Sequence, residues 1–322
     1  MKKSHKLASG TSKFGISERM RCLLCLIGQS VVYEEGSELI KMMMGLEVCA
    51  PQIQRLCLHY GNSIDPLVKA NCEAVIPRLK ETTEQEKVYV MVDGSMVYTR
   101  EEQWRELKLG RIFTQSQVVN IHQNRREIMN SVYVSHLGSV HDFFPKFERY
   151  LVGYKQKIII GDGAKWIWNW ADDNYPGALQ VLDFYHAKEK LVLFARHQFA
   201  DETVRSNWVK LQTDRLLNNQ LENVLITLKS IRARNSESKF AKQKVIDYYL
   251  EHDDRMQYKT YRDSGIMIGS GPIEAAHRSV IQQRMKLSGQ KWSIKGAQAI
   301  ANLRCYKLSG AWKMVQKIIA AA

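Results

Sequence analysis

Cysteine is scarce in this sequence, which excludes a disulfide-stabilised scaffold and a cysteine-rich zinc protein. Six cysteines occur among 322 residues, and most of them lie in apolar stretches with helical spacing: Cys22, Cys25, Cys49, Cys57, Cys72 and Cys305. Cys22 and Cys25 form a CxxC pair, but no second pair follows at the spacing of a zinc site. We therefore predict reduced thiols, no structural zinc and a cytoplasmic location.

Long apolar runs are also missing, because no stretch approaches the roughly 20 residues that a membrane-spanning helix needs. The first residues, MKKSHKLASGTSK, are basic but lack the apolar centre of a secretory signal. The sequence therefore predicts no membrane partner and a flexible basic arm over residues 1–17.

Acidic residues are fewer than basic ones overall, and they are absent from the C-terminal part of the chain. Lys and Arg total 47 against 33 Asp and Glu, giving a formal net charge of +14 and a pI near 9.4. From Ala275 onward there are nine basic residues and no acid: Arg278, Arg284, Lys286, Lys291, Lys295, Arg304, Lys307, Lys313 and Lys317. Such a basic tail predicts contact with a polyanion, most simply the phosphates of nucleic acid.

Helical spacing dominates residues 18–80, which we predict to form an all-α N-terminal domain. Two of its helices, joined by a tight turn before Pro51, match a DNA-binding helix-turn-helix with Gln52 to Tyr60 as the recognition helix. The same pattern is common in small helical bundles that bind nothing. The polar residues 79–86 are interpreted as a linker.

Residues 87–186 are rich in strand patterns, in the order strand, strand, strand, helix, strand, helix, strand. Three early strands at short spacing predict an antiparallel meander, with Gly110 at a bend. The whole block predicts a mixed α/β sheet covered by helices. Residues 187–260 show helical patterns alone and are interpreted as a helical insertion, after which residues 261–322 return to the core.

One acid interrupts the apolar strand KVYVMVDGSMVYTR, and this acid is Asp93. A buried carboxylate is costly unless it is hydrogen-bonded, paired or bound to a cation, so Asp93 requires partners elsewhere in the chain. The alternative is that Asp93 and Gly94 form the turn of a hairpin.

Two more acids occupy comparable positions in the sequence. Asp162 ends the apolar run KIIIG, and Glu274 follows Gly271 and Pro272 at the start of a predicted helix. Each has an ordinary alternative, a hairpin turn for Asp162 and a solvated first-turn acid for Glu274. Taken together with Asp93, they suit a site that holds two divalent metal ions for phosphoryl transfer. Ligation by oxygen alone favours Mg²⁺ or Mn²⁺.

Four motifs carry a resemblance to a known family: VDGS at Asp93, GDGAKWIW at Asp162, DFYH from Asp183 to His186, and GSGPIEAAHRSVIQQRMKLSGQKWSIKGAQAIANLR around Glu274. From about Val88 onward the chain resembles bacterial insertion-sequence transposases of the DDE type, in particular the ISKra/ISLre-type group. Members of that group usually carry a longer N-terminal segment with zinc-ligand-like cysteines, so the resemblance predicts a short or truncated copy.

The resemblance implies an RNase H-like sheet with a helical insertion, and it implies that Asp93, Asp162 and Glu274 are the catalytic, metal-binding triad. It further implies cleavage and joining of double-stranded DNA at the element ends and target, by a homo-oligomer associated with the nucleoid. The family's Asp/Cys-x-x-His signature falls on Asp183 and His186. His186 would contact the scissile phosphate or orient a carboxylate, or would be a structural histidine.

Residues around Glu274 are candidates for supporting roles. His277 lies one turn further along the same helix and is a candidate support for the metal ligands. Five residues are candidate DNA contacts: Arg278, Arg284, Lys286, Lys291 and Trp292. The four basic residues could instead be solvated, and Trp292 could be a buried anchor rather than a stacking partner for an unpaired base. Trp166, Trp168 and Trp170 are expected to pack their own helix.

Two other functions remain open from the sequence. An RNase H-like nuclease or resolvase would use the same acids without strand transfer. A DNA-binding protein derived from a transposase would use the N-terminal helices and the basic tail without catalysis.

Overall fold

The computed structural model describes residues 14–79, 85–122 and 125–321. Most of the predicted basic arm (residues 1–13) and most of the predicted linker (residues 80–84) therefore lie outside the described residues. The chain forms two compact units, the first made of Met1–Gln156 with Ile273–Ala322 and the second of Lys157–Pro272.

The order of strands and helices along the described chain follows the predicted patterns in its main features. The strands are β1 Lys87–Thr99, β2 Gln103–Thr114, β3 Val118–His122, β4 Arg125–Ile128, β5 Val132–Leu137, β6 Gln156–Gly161 and β7 Leu179–Leu182. The helices are α1 Glu18–Ser30, α2 Tyr33–Met44, α3 Ala50–Lys69, α4 Val140–Leu151, α5 Lys165–Asn174, α6 Phe184–Gln198, α7 Glu202–Leu217, α8 Leu221–Ser230, α9 Ser236–Glu251, α10 Tyr258–Asp263, α11 Gly271–Ala276, α12 Gln283–Met285, α13 Ile294–Leu308 and α14 Trp312–Ala320.

In the first unit β1, β2 and β5 form an antiparallel meander, with β2 between the other two. A short turn after Thr99 joins β1 to β2, while β3 and β4 pair antiparallel as a separate two-stranded sheet. Gly110 lies inside β2, opposite Val92, and does not form the predicted bend. Its role is close packing, because a β-carbon there would lie 2.3 Å from the Phe147 ring of α4.

Helix α13 forms the centre of the first unit, so the C-terminal segment is not the basic tail that its charge predicts. Every residue from Gly296 to Tyr306 is buried. Helix α3 approaches α13 so closely that a β-carbon on Gly61 would lie 2.4 Å from the carbonyl oxygen of Ala299. The Asn302 side chain donates to the Gly61 carbonyl at 3.0 Å and fixes this contact. The N-terminal helices and the C-terminal helix therefore share one core.

The second unit contains two parallel strands and a set of helices. Strands β6 and β7 pair in parallel, with Gly161 opposite Leu182 at their carboxyl ends. The predicted strand through DFYH is shorter than expected, because Asp183 caps helix α6, which begins at Phe184. Trp168 and Trp170 are buried on α5, as their predicted packing role requires. Helices α7 to α10 follow without a strand, as the patterns over residues 187–260 predict.

The predicted fold class is confirmed: the chain is a mixed α/β protein in which helices precede the strands. Antiparallel pairing occurs in the first unit and parallel pairing in the second. No helix within the described ranges is both long and apolar enough to cross a lipid bilayer.

Candidate functional site

Asp93 lies in the middle of β1, paired with Leu109 of β2. The strand continues through Gly94 to Thr99, so the hairpin alternative for Asp93 is wrong. One carboxylate oxygen, Oδ1, accepts a hydrogen bond from the Gly94 amide at 2.7 Å. The side chain is 37% exposed, which leaves this strand-borne acid accessible to a ligand.

His277 is a titratable neighbour of Asp93 within the first unit. Its Nε2 lies 3.2 Å from Asp93 Oδ2, and the imidazole is buried. His277 begins a π-helical turn over His277–Gln282, between α11 and α12. Turns of this kind inside helices occur often at functional sites, because the extra residue redirects side chains. Glu274 lies on α11, three residues before His277, and is exposed.

Lys286 adds a cation beside the same strand. Its Nζ donates to Ser95 Oγ at 2.6 Å, two residues beyond Asp93. Partial burial lowers the pKa of the Lys286 ammonium, and the nearby Asp93 carboxylate opposes that shift. The first unit therefore brings Asp93, His277 and Lys286 together.

Arg284, predicted as a DNA contact, is instead a buried structural residue. Its guanidinium lies between the rings of Tyr33 and Trp292, at 4.9 and 5.1 Å from their centroids. Its Nε donates to the Gly28 carbonyl at 3.1 Å. Burial lowers the pKa of Arg284. With 1% of its surface exposed, the side chain cannot reach a phosphate without unfolding its surroundings.

Trp292, predicted as a stacking partner for an unpaired base, is also buried. Its indole Nε1 donates to the Met285 carbonyl at 3.0 Å. Its backbone pairs with the end of β1, where the Arg100 amide donates to the Trp292 carbonyl at 2.8 Å. The alternative of a buried anchor is therefore the correct one for Trp292.

The other basic residues of the C-terminal segment divide into one buried residue and seven exposed ones. Arg304 is buried in α13 and donates to the carbonyls of Val280 and Gln29, both at 2.6 Å. The exposed residues are Arg278, Lys286, Lys291, Lys295, Lys307, Lys313 and Lys317. Their contact with phosphate remains a prediction.

In the second unit two acids follow neighbouring parallel strands. Asp162 comes directly after β6 and Asp183 directly after β7, and the Asp183 amide donates to the Gly161 carbonyl at 2.8 Å. Asp162 Oδ1 accepts from the Ala164 amide at 2.9 Å, just before helix α5. The chain therefore enters a helix after Asp162, and the hairpin alternative is wrong here too. Ligands of α/β sheets commonly bind beyond the carboxyl ends of parallel strands.

Asp183 is fully buried and orients His186. Its Oδ1 accepts from the His186 amide at 2.8 Å and lies 3.4 Å from the ring Nδ1, while Oδ2 accepts from the Ser270 amide. Burial raises the pKa of Asp183, but the hydrogen bonds from His186 and Ser270 outweigh it and leave the pKa below its usual value. Asp183 in turn raises the pKa of His186 to about 9 against partial burial, and Asp162 adds to the rise. His186 is therefore a cation at neutral pH.

We expect the His186 imidazole to titrate near pH 9 in an NMR titration of the full chain. In Asp183→Asn the pKa should fall towards the ordinary 6.5, because asparagine still caps the helix but carries no charge. Because the pKa of His186 is raised in the folded state, its contact with Asp183 stabilises the fold fully below about pH 6.5. This contribution is lost as the pH rises through about 9. Titration of the wild-type ring near 6.5 would contradict this description.

Tyr248 of α9 is a neighbour of Asp162 that no sequence pattern indicates. A β-carbon on Gly163 would lie 2.1 Å from the Tyr248 ring, so the ring packs directly on the backbone after Asp162. Burial raises the pKa of the Tyr248 hydroxyl, and Asp162 and Asp183 add to the shift. Tyr248 is 86 positions from Asp162 and follows a common helical pattern, which is why sequence reasoning missed it.

The predicted site residues therefore fall into two groups. Asp93, Glu274, His277 and Lys286 belong to the first unit, and Asp162, Asp183 and His186 belong to the second. Within each unit a strand-associated acid lies beside a histidine. The meeting of Asp93, Asp162 and Glu274 at one metal site stays a prediction.

Residues 32–318 match one protein family, described as "Uncharacterised protein family (UPF0236)". No curated protein matches the chain in sequence. Among solved structures, one similar chain comes from the Drosophila P element transposase strand transfer complex, with 9% identity and a TM-score of 0.34. That similarity covers 94% of this chain and 81% of the other.

Proposed function

The chain belongs to the uncharacterised protein family UPF0236. We propose that it is a DNA transposase of the DDE type with an RNase H-like core. The observation that carries the proposal is the pairing of a strand-associated acid with a histidine in each unit, Asp93 with His277 and Asp183 with His186. The resemblance of four sequence motifs to those of the ISKra/ISLre-type group supports it.

The donor set suits two divalent ions of the Mg²⁺ or Mn²⁺ type. Asp93, Asp162 and Glu274 offer only carboxylate oxygens, which hard cations prefer. Asp93 is partly exposed and Glu274 exposed, so their oxygens are accessible. When bound, the ions would supply activation of the attacking oxygen and stabilisation of the leaving one.

The chain's own side chains have separate tasks in this proposal. His277 orients the Asp93 carboxylate, which it contacts at 3.2 Å. His186, kept cationic by Asp183, donates a hydrogen bond to an oxygen of the scissile phosphate. Lys286, held at Ser95, offers a positive charge to the DNA backbone. In the cleavage step water attacks the scissile phosphorus and displaces the 3′-oxygen of the element end. In the joining step the freed 3′-OH attacks a target phosphorus and displaces the 3′-oxygen of the target strand.

Double-stranded DNA is the proposed substrate, at the element ends and at the target. The exposed basic residues of the C-terminal segment, among them Arg278 and Lys291, would contact its phosphates. Pairing of two ends would require a homo-oligomer, and such a protein would act at the bacterial nucleoid.

The test is a strand-transfer assay with the purified full chain, Mg²⁺ and linear DNA carrying the sequences that flank its coding region. We expect nicks that leave 3′-OH ends, followed by joined products with a target plasmid. Cleavage without joined products would favour the nuclease or resolvase alternative. Binding without cleavage in Mg²⁺ or Mn²⁺ would favour a non-catalytic DNA-binding protein.

A further inference from the structure

A groove between helices α6 and α7 lies on the second unit, and none of the candidate site residues lines it. It encloses about 560 Å³. Its wall residues include Lys188, Val192, Arg196, Glu202, Arg205 and Lys210.

The α6 wall carries a row of basic and apolar residues. Lys188, Val192 and Arg196 are four residues apart, so they share one face of the helix. The two cations are about 12 Å apart along the axis, from a rise of about 1.5 Å per residue. Buried residues on other faces of α6, such as Leu191 and Phe194, pack into the unit. The basic row is thus held on a fixed helix.

The α7 wall adds two cations and two acids. Arg205 lies 3.8 Å from Glu202, and Lys210 lies 3.7 Å from Asp214, each pair within the same helix. Ion pairs at these distances near solvent contribute little, so they do not neutralise the two cations. Four cations against two acids give the lining a formal charge of +2.

We propose that this groove binds the phosphate backbone of duplex DNA. Cations spaced along a helix with an apolar residue between them suit a row of phosphates. The groove lining contains no aromatic residue that could stack on a base, so the contact would position DNA without reading its sequence. The inference rests on the proposed function and assigns the helical insertion a part in holding the substrate.

The experiment measures binding of a 30-bp duplex of arbitrary sequence to the full chain by fluorescence anisotropy, between 50 and 200 mM KCl without divalent metal. Lys188→Gln with Arg196→Gln should reduce the slope of log affinity against log salt by about 1.8, since each phosphate contact contributes about 0.9. The matched control is Lys229→Gln with Lys239→Gln, two exposed residues of α8 and α9 outside the groove.

The control pair removes the same charge and should leave the slope close to that of the wild type. Thermal unfolding of all variants verifies that they are folded. An equal slope in wild type and groove variant would overturn the groove assignment. A groove variant that binds structured RNA more weakly than the wild type, but binds DNA equally well, would also overturn it. A reduced slope without any metal-dependent cleavage would support the groove and contradict the proposed catalysis, whereas wild-type chain that binds no DNA would overturn both.

Discussion

Asp93→Asn, Asp162→Asn and Glu274→Gln are each expected to lower Mg²⁺-dependent DNA cleavage by about 10³-fold or more. Each change removes one ligand charge, and bound metal contributes several kcal/mol to the transition state, with about 1.4 kcal/mol for every factor of ten in rate. The substitutions are nearly isosteric, and the asparagine that replaces Asp93 would keep an oxygen to accept from the Gly94 amide. Duplex binding should therefore change little.

Cleavage is measured on a labelled duplex in single-turnover reactions, and binding by anisotropy on the same DNA. Asp173→Asn and Glu222→Gln are matched controls, because both acids are exposed and neither belongs to the proposed triad. They should cleave at the wild-type rate. A triple variant of Asp93, Asp162 and Glu274 that still cleaves would rule out the metal proposal.

Gly61→Ala is expected to destabilise the first unit by about 3 kcal/mol, at the upper end of ordinary overpacking. The new methyl group would meet the Ala299 backbone, whose carbonyl oxygen would lie 2.4 Å from it. A backbone atom of the central helix α13 cannot rotate away as a side chain can. The hydrogen bond from Asn302 to the Gly61 carbonyl would be displaced with it.

Chemical denaturation followed by circular dichroism measures this loss of stability. Gly177→Ala provides the control, since no atom lies within 4 Å of the added methyl group and the backbone there is not left-handed. Its unfolding free energy should stay within about 0.5 kcal/mol of the wild type. A Gly61→Ala chain as stable as the control would contradict the described packing of α3 on α13.

Local patterns predicted much of the fold, because the spacing of apolar residues along the sequence differs between strands and helices. The strand through Asp93 and the helix after Asp162 both formed as predicted. Gly110 was misinterpreted, since a glycine required by the Phe147 ring looks the same in sequence as one required by a bend.

Burial of long basic side chains was the main feature that the sequence could not reveal. Arg284 and Arg304 sit in an acid-free, strongly basic segment, which predicts solvation, yet both are buried. Their guanidinium groups donate to backbone carbonyls of residues far away in the chain, Gly28 and Gln29. Such long-range partners leave no local signature. The sequence left open whether Trp292 is a buried anchor or a stacking partner for a base, for the same reason.

The candidate site was predicted only in part. Asp93 and Asp162 stood out as acids at the centre or end of apolar runs, and Glu274 as an acid at the start of a predicted helix. Asp183 with His186 stood out through a family motif. Tyr248 did not, because it comes from an ordinary helix that folds back on Gly163.

The proposal that Asp93, Asp162 and Glu274 share one metal site is tested most directly by iron-mediated cleavage of the protein itself. Fe²⁺ takes the place of Mg²⁺ and, with ascorbate and peroxide, cuts the polypeptide within a few ångströms of where it is bound. Peptide mapping should place cuts near Asp93, Asp162 and Glu274 together, and excess Mg²⁺ should suppress all three. Cuts near only one of these residues, or at unrelated positions, would contradict a shared metal site.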